Sequence, residues 1–151
     1  MTGHGTDHTG TNHPGIELRT TYGRLLMAWT GVRLTRLALR TAGFARTIRL
    51  LSSAPRIFSA VVAPNPLWMG EIGEASKGRY GATCLDRSVA LWFVLRQHSL
   101  EGTVRIGVAR AGDTFDAHAW VEYRGAVLND SPDVTDRFAV FDEDPVDLVF
   151  R

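Results

Sequence analysis

Cysteine is almost missing from this chain of 151 residues: Cys84 is the only one. An internal disulfide is therefore excluded, and a lone thiol suits a reducing compartment and remains available for chemistry. Long apolar runs are missing too. The longest stretch without a charge runs from Ile57 through Met69 to Gly70 and contains Pro64, Asn65 and Pro66. It is too short and too interrupted for a membrane span, which needs about 20 apolar residues. The N-terminus lacks the basic-then-apolar order of a signal peptide, so the expected location is the cytoplasm. There is no GxxxxGK[ST] phosphate loop, which argues against an intrinsic ATP site.

Neither sign of charge dominates, since the formal net charge is +1, but the distribution is uneven. Residues 1–83 hold ten Arg and Lys against four Asp and Glu, giving +6, and residues 84–151 hold seven against twelve, giving −5. Such a split suggests two functional regions, or one docking on the other. With 44% apolar residues, a chain of this length buries a core without metal or disulfide staples.

Residues 1–15 are rich in Gly, Thr, His and Asn with no apolar periodicity, the composition of a disordered tail. His4, His8 and His13 lie there without ordered supporting groups, so no metal site is expected. Residues 16–79 read as a helical region. Within 20–51, Met27, Thr30, Leu34, Leu37 and Ala38 share one helical arc, and Arg33, Arg36 and Arg40 share another. Gly31 and Gly43 leave one long helix or two shorter ones open. The arginine arc is either a solvated face or a landing strip for an acidic peptide or partner. Without aromatic interleaving or recognition-motif spacing it does not suggest nucleic acid. Pro55, Pro64 and Pro66 punctuate the next stretch. Ile57 to Ala63 reads as a short helix or apolar segment, and Gly70 to Gly81 as a loop, with a boundary near residue 80.

Residues 80–151 carry the clearest elements. CLDRSVALWFVLRQH, residues 84–98, is a helix with Leu85, Val89, Trp92 and Phe93 on one face and Leu95 near it. Thr83 is its N-cap, and Asp86 suits the first turn. TVRIGVAR alternates as a strand. In the next strand, Phe115, Ala117, Ala119, Val121 and Tyr123 oppose Asp116, His118, Trp120 and Glu122. AVLND returns as a third strand, and RFAVF reads as a fourth. The order predicts an α+β fold, with an N-terminal helical segment followed by a helix packed on an antiparallel sheet.

Cys84 opens the strongest helix, just after a glycine-rich loop. The thiolate is the reactive form of cysteine, and the unpaired N–H groups at a helix start stabilise anions, including an oxyanion formed during attack on a carbonyl. The alternative is a small buried hydrophobe. The hairpin supplies the second group. If Tyr123, Arg124 and Gly125 form the loop, paired residue numbers sum to 248 and His118 faces Asp130. A two-residue Arg-Gly loop makes the sum 249 and the pair diagonal. Either register makes them neighbours, so Cys84 is the candidate nucleophile, His118 the base and acid, and Asp130 the group that orients the imidazole. Asn129 is the weaker alternative for the third role, since its side chain points to the other face. Trp120, on the His118 face, is a candidate contact for substrate or partner.

The segments CLDRSVALWFVLRQHSLEG, IGVAR and DAHAWVEYRGAVLND also resemble transglutaminase-like (papain-like) cysteine proteins, and within them the stand-alone leader peptidases of lasso peptide biosynthesis. The resemblance covers roughly residues 80–132, and AHAWVE…G…LND is its most specific part. Many of those proteins have Pro where this chain has Asp86, a position outside the candidate triad. The resemblance implies a cysteine endopeptidase that removes the leader from a ribosomally made precursor, with no metal or organic cofactor. It also implies a separate leader-recognition protein that presents the precursor, and a macrolactam cyclase that acts next. Acyl transfer to an amine in place of water, and a non-catalytic precursor-binding module, are the rival expectations.

Overall fold

Gly43 divides the first helical stretch in two. In the computed structural model, which describes residues 30–56 and 81–151, residues 30–42 form α1. Gly43 then takes φ 75, a left-handed conformation that glycine adopts without the steric cost of a side chain. Its N–H still bonds to the Leu39 carbonyl, 3.1 Å away, and α2 restarts at once as Phe44–Ser53. Met27, the tail with its histidines, the Ile57–Ala63 segment and the loop from residue 70 to residue 80 lie outside the described residues.

The expected apolar arc of α1 is rotated. Leu34 and Leu37 are exposed, at 61% and 59%, whereas Val32 and Thr35 are buried. Leu39, Phe44 and Leu51 pack with Ile48 into the main core. The Arg arc is split by the same rotation. Arg33 and Arg40 are exposed and Arg36 is half-buried, its guanidinium 3.5 Å from where a side chain on Gly81 would begin.

The helix that opens with the cysteine is α3, Cys84–Gln97. Thr83 caps it through a reciprocal box. Its Oγ1 accepts from the Asp86 N–H at 3.2 Å, and Asp86 Oδ2 accepts from the Thr83 N–H at 2.8 Å. This satisfies two donors at the helix start. The helix is buried on more than the one expected face, with Val89, Ala90, Leu91, Trp92 and Leu95 all inside. The reason is that α3 packs between two layers. Val104, Val121 and Tyr123 of the sheet, with Leu128 just past β3, cover one side, while Ile48 with its neighbours joins the same core from α2. A helix enclosed in this way needs apolar residues around most of its circumference.

The sheet has the order β3-β2-β1-β4, built from β1 Thr103–Ala111, β2 Thr114–Tyr123, β3 Ala126–Val127 and β4 Ala139–Val140. Two short helices, α4 Val134–Arg137 and α5 Pro145–Leu148, complete it, so the α+β expectation holds. The outer end of the β1–β2 hairpin extends past the core. Phe115 is 78% exposed, so the alternation of β2 becomes burial only from Ala119 onward. Trp120, Val134 and Phe138 form a second cluster on the face of the sheet opposite α3, because Trp120 and Val121 point to opposite faces. Among the described residues no helix is long and apolar enough to cross a membrane.

Candidate active site

The turn between β2 and β3 decides where Asp130 goes. It is a two-residue turn, Arg124 at φ 49 and Gly125 at φ 79, the geometry that matches the twist of a tight hairpin. Glu122 pairs with Val127 and Tyr123 with Ala126. The register therefore sums to 249, and the three-residue loop is corrected. Had β3 continued in this register, Asp130 would stand opposite Ala119 and point to the face away from His118. It does not continue. The Leu128 N–H reaches the Val121 carbonyl at 3.0 Å. The Val121 N–H then takes Asn129 Oδ1 at 2.7 Å, a side chain where a ladder carbonyl would stand. The chain leaves the sheet there, and Asp130 swings to His118, Oδ2 to Nε2 2.6 Å.

The His118–Asp130 pair is well walled. The side chains are 21% and 12% exposed. The imidazole stacks on Phe138, with centroids 5.0 Å apart, and lies 6.3 Å from Trp120. Gly107 is opposite His118 across the β1–β2 ladder. A Cβ there would stand 2.9 Å from Phe138 Cβ and 3.0 Å from Trp120 Cη2, so the missing side chain is what admits both rings. With Nε2 donating to the carboxylate, Nδ1 is the basic atom left on the ring. Trp120 itself is fully buried, and its indole N–H donates to Glu122 Oε1 at 3.0 Å. In this position Trp120 forms part of the wall beside the imidazole.

Cys84 is half-buried at the first position of α3. Among the described residues no hydrogen bond joins it to His118. α3 packs on the Val121 face of β2, and His118 projects from the other face. β3 pairs with β2 only at residues 122 and 123. Two contacts hold α3 to the sheet. Leu95, near its C-terminal end, packs on Gly102 beside Val121. One turn from Cys84 and on the same helix face, Ser88 Oγ accepts from Asn129 Nδ2 at 2.9 Å.

Asn129 thus has a structural use in place of the triad role weighed for it. It is 2% exposed and ties α3 to β2. Asn129→Ala strands the Val121 N–H and the Ser88 hydroxyl, and is expected to cost about 2–4 kcal/mol, read by urea unfolding. Sequence reasoning missed this link, as it missed Arg137. The Asp133–Arg137 spacing of four residues is a visible helix pair, but the approach of Arg137 to Asp130 depends on the turn after Asn129.

The comparisons with known proteins agree with this architecture. The sequence family described as the transglutaminase-like superfamily matches residues 18–142, which takes in α1, α2, α3 and the whole sheet. Over 64 residues the chain is 34% identical to the microcin J25-processing protein McjB of Escherichia coli, a match that covers 42% of this chain and 30% of that protein. The chain therefore spans less than a third of the length of the curated relative it matches. No solved structure matches it. The helix that opens on Cys84, the imidazole–carboxylate pair between β2 and the segment after β3, and a family match over most of the chain lead to one conclusion: this chain belongs to the transglutaminase-like superfamily.

Proposed function

We propose that the chain is a cysteine endopeptidase that removes the leader from a ribosomally made lasso peptide precursor, with Cys84 as nucleophile, His118 as base and acid, and Asp130 as the orienting carboxylate. The observation that carries the reading is the 2.6 Å His118–Asp130 contact through Nε2, which leaves Nδ1 for a thiol. The partial similarity to a protein named for processing microcin J25 supports the substrate class.

In this reading His118 Nδ1 takes the thiol proton and Cys84 Sγ attacks the carbonyl of the leader's last residue. The oxyanion forms beside the N–H groups at the start of α3, where the helix dipole favours negative charge. The imidazolium gives its proton to the departing amine of the core peptide, leaving a thioester. Water, deprotonated by His118, then releases the leader as a carboxylic acid and restores the thiol. The reaction requires no cofactor, and a lone unpaired thiol favours the cytoplasm as its site.

The test is mass spectrometry of a precursor peptide incubated with this protein and a leader-recognition protein, with and without a primary amine. Hydrolysis gives a free leader acid and a core peptide with a new N-terminus. An amide of the added amine on the leader supports acyl transfer instead, and an intact precursor held in a complex supports a binding module.

The basic helical region is proposed to dock the precursor or its recognition protein. Arg33 and Arg40 are exposed, with the exposed Leu34 and Leu37 on the same helix. Arg33→Glu/Arg40→Glu is expected to slow encounter with an acidic partner more at about 50 mM than at about 300 mM salt. Cys84 alkylation by a small reagent should be unaffected. Equal affinities by titration calorimetry at low salt would make these residues ordinary solvated surface.

A further inference from the structure

The carboxylate of Asp130 divides its two oxygens. Oδ2 meets His118, while Oδ1 accepts from the Ser131 N–H at 2.8 Å and lies 3.2 Å from Arg137 Nη2. The same Nη2 donates to Ser131 Oγ at 2.9 Å, and Arg137 Nε pairs with Asp133 Oδ2 at 3.1 Å. Arg137 is therefore held at three points by a fork of fixed geometry. Its guanidinium carbon also stands 5.7 Å over the Phe138 ring, the ring that stacks on His118.

One cation thus touches both supports of the imidazole. It grips the far oxygen of the carboxylate that holds Nε2, and it lies on the aromatic ring that backs the imidazole plane. We propose that Arg137 is the positioning residue of the His118–Asp130 pair: it fixes the carboxylate so that Oδ2, and not a rotating mixture of both oxygens, faces His118. The inference deepens the peptidase reading and rests on it for its rate effect, but its structural part concerns only His118 and Asp130. Half of the Arg137 side chain is exposed, at 48%. Exposed ion pairs contribute little to folding, so a purely stabilising role would leave a weak trace.

The experiment compares wild type, Arg137→Ala and Arg137→Lys by cleavage kinetics, melting temperature and nitrogen-15 NMR of the His118 ring, with Cys84→Ala as the control. Arg137→Ala is expected to lower kcat about 10- to 100-fold, the range for a misplaced orienting group, with KM and melting temperature nearly unchanged. Its His118 ring should shift from one dominant tautomer to a mixture. Millimolar guanidinium should restore part of the rate, and Arg137→Lys should retain part of it. The proposal is overturned if kcat stays within twofold and the ring signature is unchanged, or if the loss follows a fallen melting temperature and neither guanidinium nor lysine recovers it. If wild type shows no Cys84-dependent cleavage but the ring signature still changes in Arg137→Ala, the positioning stands and the peptidase reading falls.

Discussion

Cys84→Ala abolishes leader removal, by at least about 10³-fold, and leaves the protein folded. The expectation comes from where the residue sits. Cys84 is the first residue of α3, half-buried and outside the apolar core, so the change removes one small atom from a site that packing does not depend on. The Thr83–Asp86 box that starts the helix uses neither the thiol nor its Cβ. Stability should fall by no more than roughly 1–2 kcal/mol, read by thermal unfolding beside the circular dichroism spectrum. The rate should collapse because the covalent route has no other nucleophile: this is the chain's only cysteine. Cleavage by a folded Cys84→Ala protein at near the wild-type rate would sink the peptidase reading outright.

His118→Ala should be nearly as severe, at about 10³-fold, because the thiol loses its base and the leaving amine its acid in one change. Asp130→Asn should cost less, on the order of 10²-fold. Phe138 and Gly107 still hold the ring in place when the carboxylate is replaced by an amide, although the preferred tautomer is lost. Groups that act as one unit do not add, so Cys84→Ala/His118→Ala should be no slower than the worse of its parents. Single-turnover kinetics with saturating precursor separates these losses from weakened binding. If His118→Ala kept most of the activity, the 2.6 Å contact with Asp130 would be a structural pair and another base would have to be sought.

Much of this protein is written in local patterns. The cap at Thr83, the extent of α3, the alternation that makes β1 and β2, and the glycine turns between strands arise from short-range rules of hydrogen bonding and backbone sterics. The nearness of His118 and Asp130 was legible for the same reason, since a hairpin brings together residues at similar distances from its tip, but their contact depends on the chain leaving the sheet at Asn129. The register was less so, because Arg124-Gly125 and a longer loop differ by one residue and both suit the sequence.

Other features depend on contacts between elements distant in the chain. In α1 the buried positions are Val32 and Thr35 and not Leu34 and Leu37, which no periodicity of α1 announces. The sheet is covered on both faces, so Trp120 became a buried wall although its position in the alternation matched that of polar neighbours. Arg137 met Asp130 only because Asn129 ends β3 by bonding Val121 and Ser88, a pairing of residues 41 positions apart. Sequence by itself determined which elements form and which titratable and nucleophilic groups they carry. Tertiary structure decided how those groups are oriented, because orientation is set by packing and by buried hydrogen bonds between segments whose spacing along the chain carries no record of their meeting.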